Sequence, residues 1–284
     1  MRWLRNPWGR PRFLPVITIL YILWSIVPVG IAILFAFNNG RSRTSWQGFS
    51  MRWFTGDPSL SVLHDPDLQH ALRHTLFLGV VCVAIATPLG VSLAMGLQRW
   101  RGRGSGTVNL MMLLPLVTPE IVMGVALLLL FLRVFSGIGL GTTAQAIGQV
   151  TFTISYVVVI VRGRLVSIGR EYEEAAADLG APPHDRLARV LLPLLAPAIL
   201  VSAAVVFAIS IDDFVVTQYL SSDASTTTVS MLLYASARGA PTPALNALAT
   251  VALLITFATL AFAFLVYRRF AGGQDAAAVA ALEV

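Results

Sequence analysis

The sequence predicts an all-α integral membrane protein with six transmembrane helices and one structured loop, between the fourth and the fifth. Composition comes first: 56% of residues are hydrophobic and only 12% charged, with a mean hydropathy of +0.76, against about 25% charged in a soluble domain. The apolar residues are also gathered into runs near the roughly 20 residues that a helix needs to cross a bilayer. Finally, arginines bracket those runs and are nearly missing within them. A chain of 284 residues holds about six such runs and leaves no room for a separate soluble domain.

Taken in order, residues 1–13 carry Arg2, Arg5, Arg10 and Arg12 and read as a cytoplasmic amino terminus; residues 14–270 form the membrane domain. Leu14 to Phe37 is uncharged and long enough to span. A secretory signal has a shorter apolar core and a small-residue cleavage site, so this run is expected to stay as the first helix. Asn38 to Arg73 is polar and turn-rich, and Asp65-Pro66 suits a helix start, Asp65 as N-cap and Pro66 at N1. His70 and His74, four apart with His64 nearby, suggest either a metal pair or a surface pair. No carboxylate completes a metal spacing, so a surface pair is expected.

Span two is expected over Thr75 to Leu97, closed by Arg99, Arg101 and Arg103, with Gly102, Gly104 and Gly106 in the turn back. Span three, Thr107 to Leu132, carries Pro115, Pro119 and Glu120 near its middle. Such residues are costly in lipid, which turns that stretch toward protein or water. A Gly137–Gly141 turn leads to span four, Thr142 to Val161. Span five runs from Val190 to Ile211, with Pro193 and Pro197 early and Asp212-Asp213 at its end. Val229 to Ala235 is apolar but too short to cross, which predicts an external helix or hairpin. Span six covers Ala244 to Tyr267 before Arg268 and Arg269, and residues 271–284 read as a flexible cytoplasmic tail.

All 20 basic residues are arginines. Without a lysine there is no P-loop, so the chain cannot hydrolyse nucleotide by that route. The arginines flank spans and form no continuous basic face for nucleic acid. With an amino terminus in the cytoplasm, fourteen arginines fall on the inner side and four, Arg41, Arg43, Arg52 and Arg238, on the outer. That bias places both termini and the loop of residues 162–189 inside. Cys82 is the single cysteine, which excludes a disulfide or cysteine metal framework.

The loop is the most charged part of the chain. Glu171, Glu173 and Glu174 load a first helical turn, Ala175, Ala176 and Ala177 favour helix, and Gly180 supplies a stop. Pro182 and Pro183 suit the start of a second short helix. Charge alone leaves two readings open, a solvated connector and a handle for another protein.

Spacing separates them. Glu174-Ala175-Ala176, three residues, Gly180, nine residues, Val190, one residue and Leu192-Pro193 resembles the EAA loop of ABC-importer permeases, departing only at Val190, where that family usually has Ile. Pro119 to Gly124, Asp212 to Val215 and Asn246 to Thr250 extend the likeness over nearly the whole chain, and it most resembles the spermidine/putrescine importer permeases, second permease subunit. The resemblance implies a type I ABC-importer permease (MetI-like) fold. It also implies a bacterial inner (plasma) membrane location, a second homologous permease subunit, two ATP-binding subunits and an external solute-binding protein. ATP and Mg²⁺ would belong to the partner ATPase, with no cofactor in this chain and no enzyme activity of its own. The segment matching Glu173, Glu174, Ala175, Ala176 and Gly180 would be the coupling helix seated on that ATPase.

Glu120 in a span is a functional candidate. With Asp212 and Asp213 at the outer end of span five, it would give a cation acids to meet on its way in. A polyamine fits such a path, and ferric iron or an aminophosphonate are other solutes of this permease framework. The same acids have structural roles open to them: Glu120 pairing with an arginine or capping a helix broken at Pro119, and Asp212 or Asp213 capping the next helix. A stand-alone channel or secondary carrier is the rival class. It needs no docking helix, and no repeated half is visible in the sequence.

Overall fold

In the computed structural model, residues 13–42, 45–100, 102–238 and 242–282 are described; the expectations for Arg2, Arg5, Arg10, Arg12, Arg43 and Arg101 lie outside them. The chain order is α1 (Phe13–Ala36), α2 (Pro66–Arg99), α3 (Ser105–Val117), α4 (Glu120–Arg133), α5 (Thr142–Ile168) and α6 (Glu171–Asp178). Then follow α7 (Pro183–Asp185), a π-helical stretch (Arg186–Leu191), α8 (Leu192–Asp212), α9 (Val215–Leu220), α10 (Val229–Arg238) and α11 (Pro243–Leu282). Among the described residues there is no β-strand, only an isolated Asn38–Phe49 bridge. Five helices are long and apolar enough to cross a membrane, or six spans if the bent α3–α4 pair is one.

That pair corrects the expected third span, which is not one continuous helix. Thr118 and Pro119 are extended (ψ 130° and 133°), and the axes of α3 and α4 bend by 110°. The cause is local: a proline drives its preceding residue out of the α region. Glu120 then becomes the first residue of α4, where the helix dipole favours an acid.

Three further expectations change. The second short helix after Gly180 is no separate element; Pro183–Asp212 runs on as a single 30-residue span. Its π-helical stretch precedes Pro193, which has no N–H to give to the carbonyl of residue 189, so an α ladder cannot close there. Helix α2 starts at Pro66, well before Thr75. Helix α11 continues to Leu282 through an alanine-rich run, so the helix of span six does not end at Arg269.

Two compact units are formed, Met1–Asp65 with Ser236–Thr250, and Pro66–Ala235 with Val251–Val284. In the first, α1 buries only Ala36 of its own residues. The segment after it is folded rather than merely turn-rich. Asn38 donates to the carbonyls of Ser42 and Ser45 and accepts from the Gln47 N–H. The fully buried Trp53 donates its indole N–H to the Asn38 carbonyl at 2.6 Å. Arg52 holds Asp57 at 2.8 Å.

In the second unit, α2, α5 and α8 share a core that includes Cys82, Ala86, Val91, Val157, Val161, Leu195 and Val206. Gly90 allows this. A Cβ there would lie 2.5 Å from Val157 Cβ, so the missing side chain lets α2 and α5 approach closely, as small residues do between membrane helices.

Candidate functional site

The loop between α5 and α8 is built by its own sequence. Helix α5 ends at Gly169 (φ 73°), and Arg170 leads into α6, whose first turn holds Glu171, Glu173 and Glu174 at the positive end of the dipole. Gly180 (φ 80°) closes α6. Its N–H donates to the Ala177 carbonyl at 2.9 Å, and the Ala181 N–H donates to the Ala176 carbonyl at 3.0 Å. That pair of bonds is a Schellman cap, which requires a left-handed residue at Gly180. Pro182, extended, and Pro183 then start the next helix. Asp185 accepts from Arg189 Nε at 3.2 Å.

The five predicted coupling residues take three different positions. Glu174 and Ala175 are exposed, on a face shared with Glu171, Tyr172, Asp178 and Leu179; Leu179 is 89% exposed. Glu173 and Ala176 are half-buried on the opposite face, and Glu173 is ion-paired with Arg99 at the end of α2. Gly180 is the cap. The loop is also held from below, since Arg164 Nε donates to the Leu194 carbonyl and Arg162 donates to Asn109 Oδ1. A rigid, acidic, small-residue face thus points outward on a base tied to α2, α3 and α8.

The predicted acids divide as well. Glu120 and Asp212 are exposed. Asp213 is 9% exposed and committed to structure. Its Oδ1 accepts from the Val216 N–H and its Oδ2 from the Thr217 N–H, each at 3.1 Å, which caps α9. Helix α4 packs on α9 at Gly124, where Tyr219 and Val215 fill the space that a side chain would take. Glu120, one turn earlier on α4, and Asp212-Asp213, just before α9, belong to that junction.

Sequence reasoning missed the polar network beneath it. Gln149 Nε2 donates to Asp213 Oδ2 (3.1 Å) and to the Ser210 carbonyl (3.2 Å), while its Oε1 accepts from Ser210 Oγ (2.6 Å). Gln145 donates to the Thr217 and Thr226 carbonyls and accepts from His74 Nε2, all at 2.9 Å. His74 is therefore a buried residue with Nε2 protonated; the exposed His70 stacks on it at 6.1 Å between ring centroids, so the pair has one ring at the surface and one inside. The available signal was Gln145, Gln149 and Thr153, spaced four apart on one face of a span. Polar side chains so placed turn inward to bond across helices.

Broken and unbroken helices long and apolar enough to cross a membrane, with one exposed loop helix between them, define a multi-pass membrane protein. The family comparison specifies it further. The chain belongs to the binding-protein-dependent transport system inner membrane component family, whose model matches residues 86–273. It is similar to the putrescine transport system permease protein PotI of Escherichia coli (strain K12), 34% identical over 88% of this chain and 87% of that one. It is also similar to the spermidine/putrescine transport system permease protein PotC of the same organism, 33% identical over 81% and 84%. Among solved structures, a bacterial ABC transporter involved in the import of the acidic polysaccharide alginate shares the fold with a TM-score of 0.72, at 17% identity over 90% of this chain and 94% of that one. The MetNI methionine ABC transporter shares it with a TM-score of 0.57, at 18% identity over 71% and 93%.

Proposed function

We propose that this chain is one permease subunit of an ATP-driven polyamine importer, and that α6 is the lever through which a partner ATPase drives it. The outward face of α6 carries the reading. Glu174 and Ala175 stand exposed there while Glu173 and the Gly180 cap hold the helix from behind. A push on that face passes to α2 through Arg99 and to α8 along the continuous helix after Pro183, and turns the spans as packed bodies. The partners are a second homologous permease, two ATP-binding subunits that hold ATP and Mg²⁺, and an external solute-binding protein. Both termini and α6 face the cytoplasm, as the arginine distribution favours.

Spermidine and putrescine are supported as substrates by the two relatives and by the acids at the α4–α9 junction. In this reading Glu120 and Asp212, both exposed, meet the cation; Asp213 is a positioning residue that fixes the junction. The test is reconstitution with the ATPase and the binding protein. Polyamine-loaded binding protein should stimulate ATP hydrolysis and uptake, Glu174→Lys or Gly180→Asp should abolish both, and Glu120→Gln should reduce uptake while the complex still assembles. Uptake by the chain alone without ATP would favour a carrier or channel. A binding protein that takes ferric iron or an aminophosphonate in calorimetry, and ignores polyamines, would move the substrate.

A further inference from the structure

Beside α6, reaching from its braced side at Glu173 to the exposed Glu174, lies a pocket of about 330 Å³ walled by Arg99, Arg170, Arg186, Glu173, Glu174 and Ala177. Arg99 is paired with Glu173. The guanidinium groups of Arg170 and Arg186 make no hydrogen bond or ion pair with the described residues, and Arg186 Nε is closed off from solvent without an acceptor. Arg170 is exposed and Arg186 half-buried, so the cost falls on the one shielded Arg186 Nε, a charged donor that an anion would satisfy. Three arginines against two glutamates leave one positive charge in excess.

A second recess, of about 130 Å³, shares Arg99, Arg170 and Glu173 with the first and adds Gln98, Gly169 and the apolar Met95, Leu165 and Val166 of α2 and α5. Charged and apolar side chains therefore meet in two adjoining recesses with shared walls, at the ends of α2 and α5. We propose that this place binds an anionic phospholipid, its phosphodiester on Arg170 and Arg186 and an acyl chain along Met95, Leu165 and Val166.

The chemistry selects this occupant. Guanidinium forks match phosphate oxygens. A phosphodiester carries one negative charge, equal to the excess, whereas Glu174 on the wall opposes a dianion. A free anion or a carboxylate of a partner protein would satisfy the arginines and leave Met95, Leu165 and Val166 uncovered. An anionic membrane surface also concentrates such lipids beside juxtamembrane arginines. The leaflet, though not the pocket, rests on the orientation proposed above. A bound headgroup would tie α6 to the ends of α2 and α5 and so make coupling depend on lipid.

The test uses the full chain in phosphatidylcholine nanodiscs without nucleotide or partners, titrated with phosphatidylglycerol and read by native mass spectrometry. The chain should retain phosphatidylglycerol in preference to phosphatidylcholine. Arg170→Gln with Arg186→Gln should weaken retention roughly thirtyfold, about five- to sixfold for each arginine, while Arg103→Gln, in the α2–α3 turn, should not. Equal retention by the double variant overturns the proposal. So does displacement by millimolar inorganic phosphate with no preference for a lipid chain, which would make this a soluble-anion site, or loss of the lipid on adding the partner ATPase, which would give the pocket to a protein carboxylate. Gly180→Asp, which tests coupling, should retain the lipid, so the two readings fail separately.

Discussion

The carboxylate of Glu173 is ion-paired with the guanidinium of Arg99, 74 residues earlier in the chain. That pair joins α6 to the end of α2, and it sets Glu173 apart from the exposed face of α6. The three glutamates of one short helix thus sit differently: Glu173 is paired across helices, Glu174 is exposed, and Glu171 loads the amino-terminal turn.

Breaking this brace should cost little stability, because the arginine side chain is 55% exposed and such pairs are worth at most about 1 kcal/mol. Coupling should suffer more. Glu173→Gln or Arg99→Gln is expected to lower polyamine uptake per ATP hydrolysed several-fold with assembly intact, and the exchanged pair Arg99→Glu with Glu173→Arg should recover part of it. Unchanged uptake per ATP in both single variants would remove the brace from the mechanism.

Gly180 makes a sharper case. At φ 80° a side chain pays about 1–2 kcal/mol, and nothing crowds the site to add to that. Gly180→Ala should therefore loosen the α6 cap and raise hydrogen exchange at the Gly180 and Ala181 amides by roughly tenfold. Gly180→Asn, which tolerates the left-handed region, should show a smaller rise. Equal exchange in all three proteins would contradict the cap.

Gln149 serves three bonds in a buried site. Gln149→Leu removes the donor to Asp213 and the acceptor of Ser210 Oγ, and each polar group left without a partner costs about 1–3 kcal/mol. A fall in thermal midpoint is expected, measured by unfolding in detergent. Gln149→Glu should be worse still, because it sets a second carboxylate against Asp213. A neutral outcome for both would show that water or a rearranged Ser210 replaces the amide.

The segment after α1 should respond to acid. Arg52 hydrogen-bonds Asp57 and, with the Ser59 and Leu60 N–H groups, holds its carboxyl well below the usual 3.8, at about 2. A depressed pKa means that the folded segment is favoured by the ionised form. This contribution is fully present above about pH 4 and is lost as pH falls through 2. Trp53 fluorescence, followed against a Trp53→Phe reference, should change over that interval, and Asp57→Asn should abolish the acid-dependent step.

Much of this molecule could be read directly from residue order. Runs such as Phe13–Ala36 must be helices in a bilayer, because lipid offers no partner to their N–H and C=O groups. Residues Glu171 to Gly180 specify a capped helix within ten positions, and Pro119 announced a disturbance although its depth, a 110° bend, was not foreseen. Those signals are local: dihedral limits, capping bonds and burial of apolar area act on neighbours in the chain.

The tertiary structure alone decided which partners distant groups would find. His74 went inside to Gln145, and Gln145 and Gln149 became the knots of a buried network. Glu173 found Arg99, while Arg170 and Arg186 were left facing a shared pocket. Each outcome depends on which helices stand side by side, and a polar group in a membrane protein accepts whichever partner packing brings within hydrogen-bond reach. Spacing along the chain carries no record of that choice.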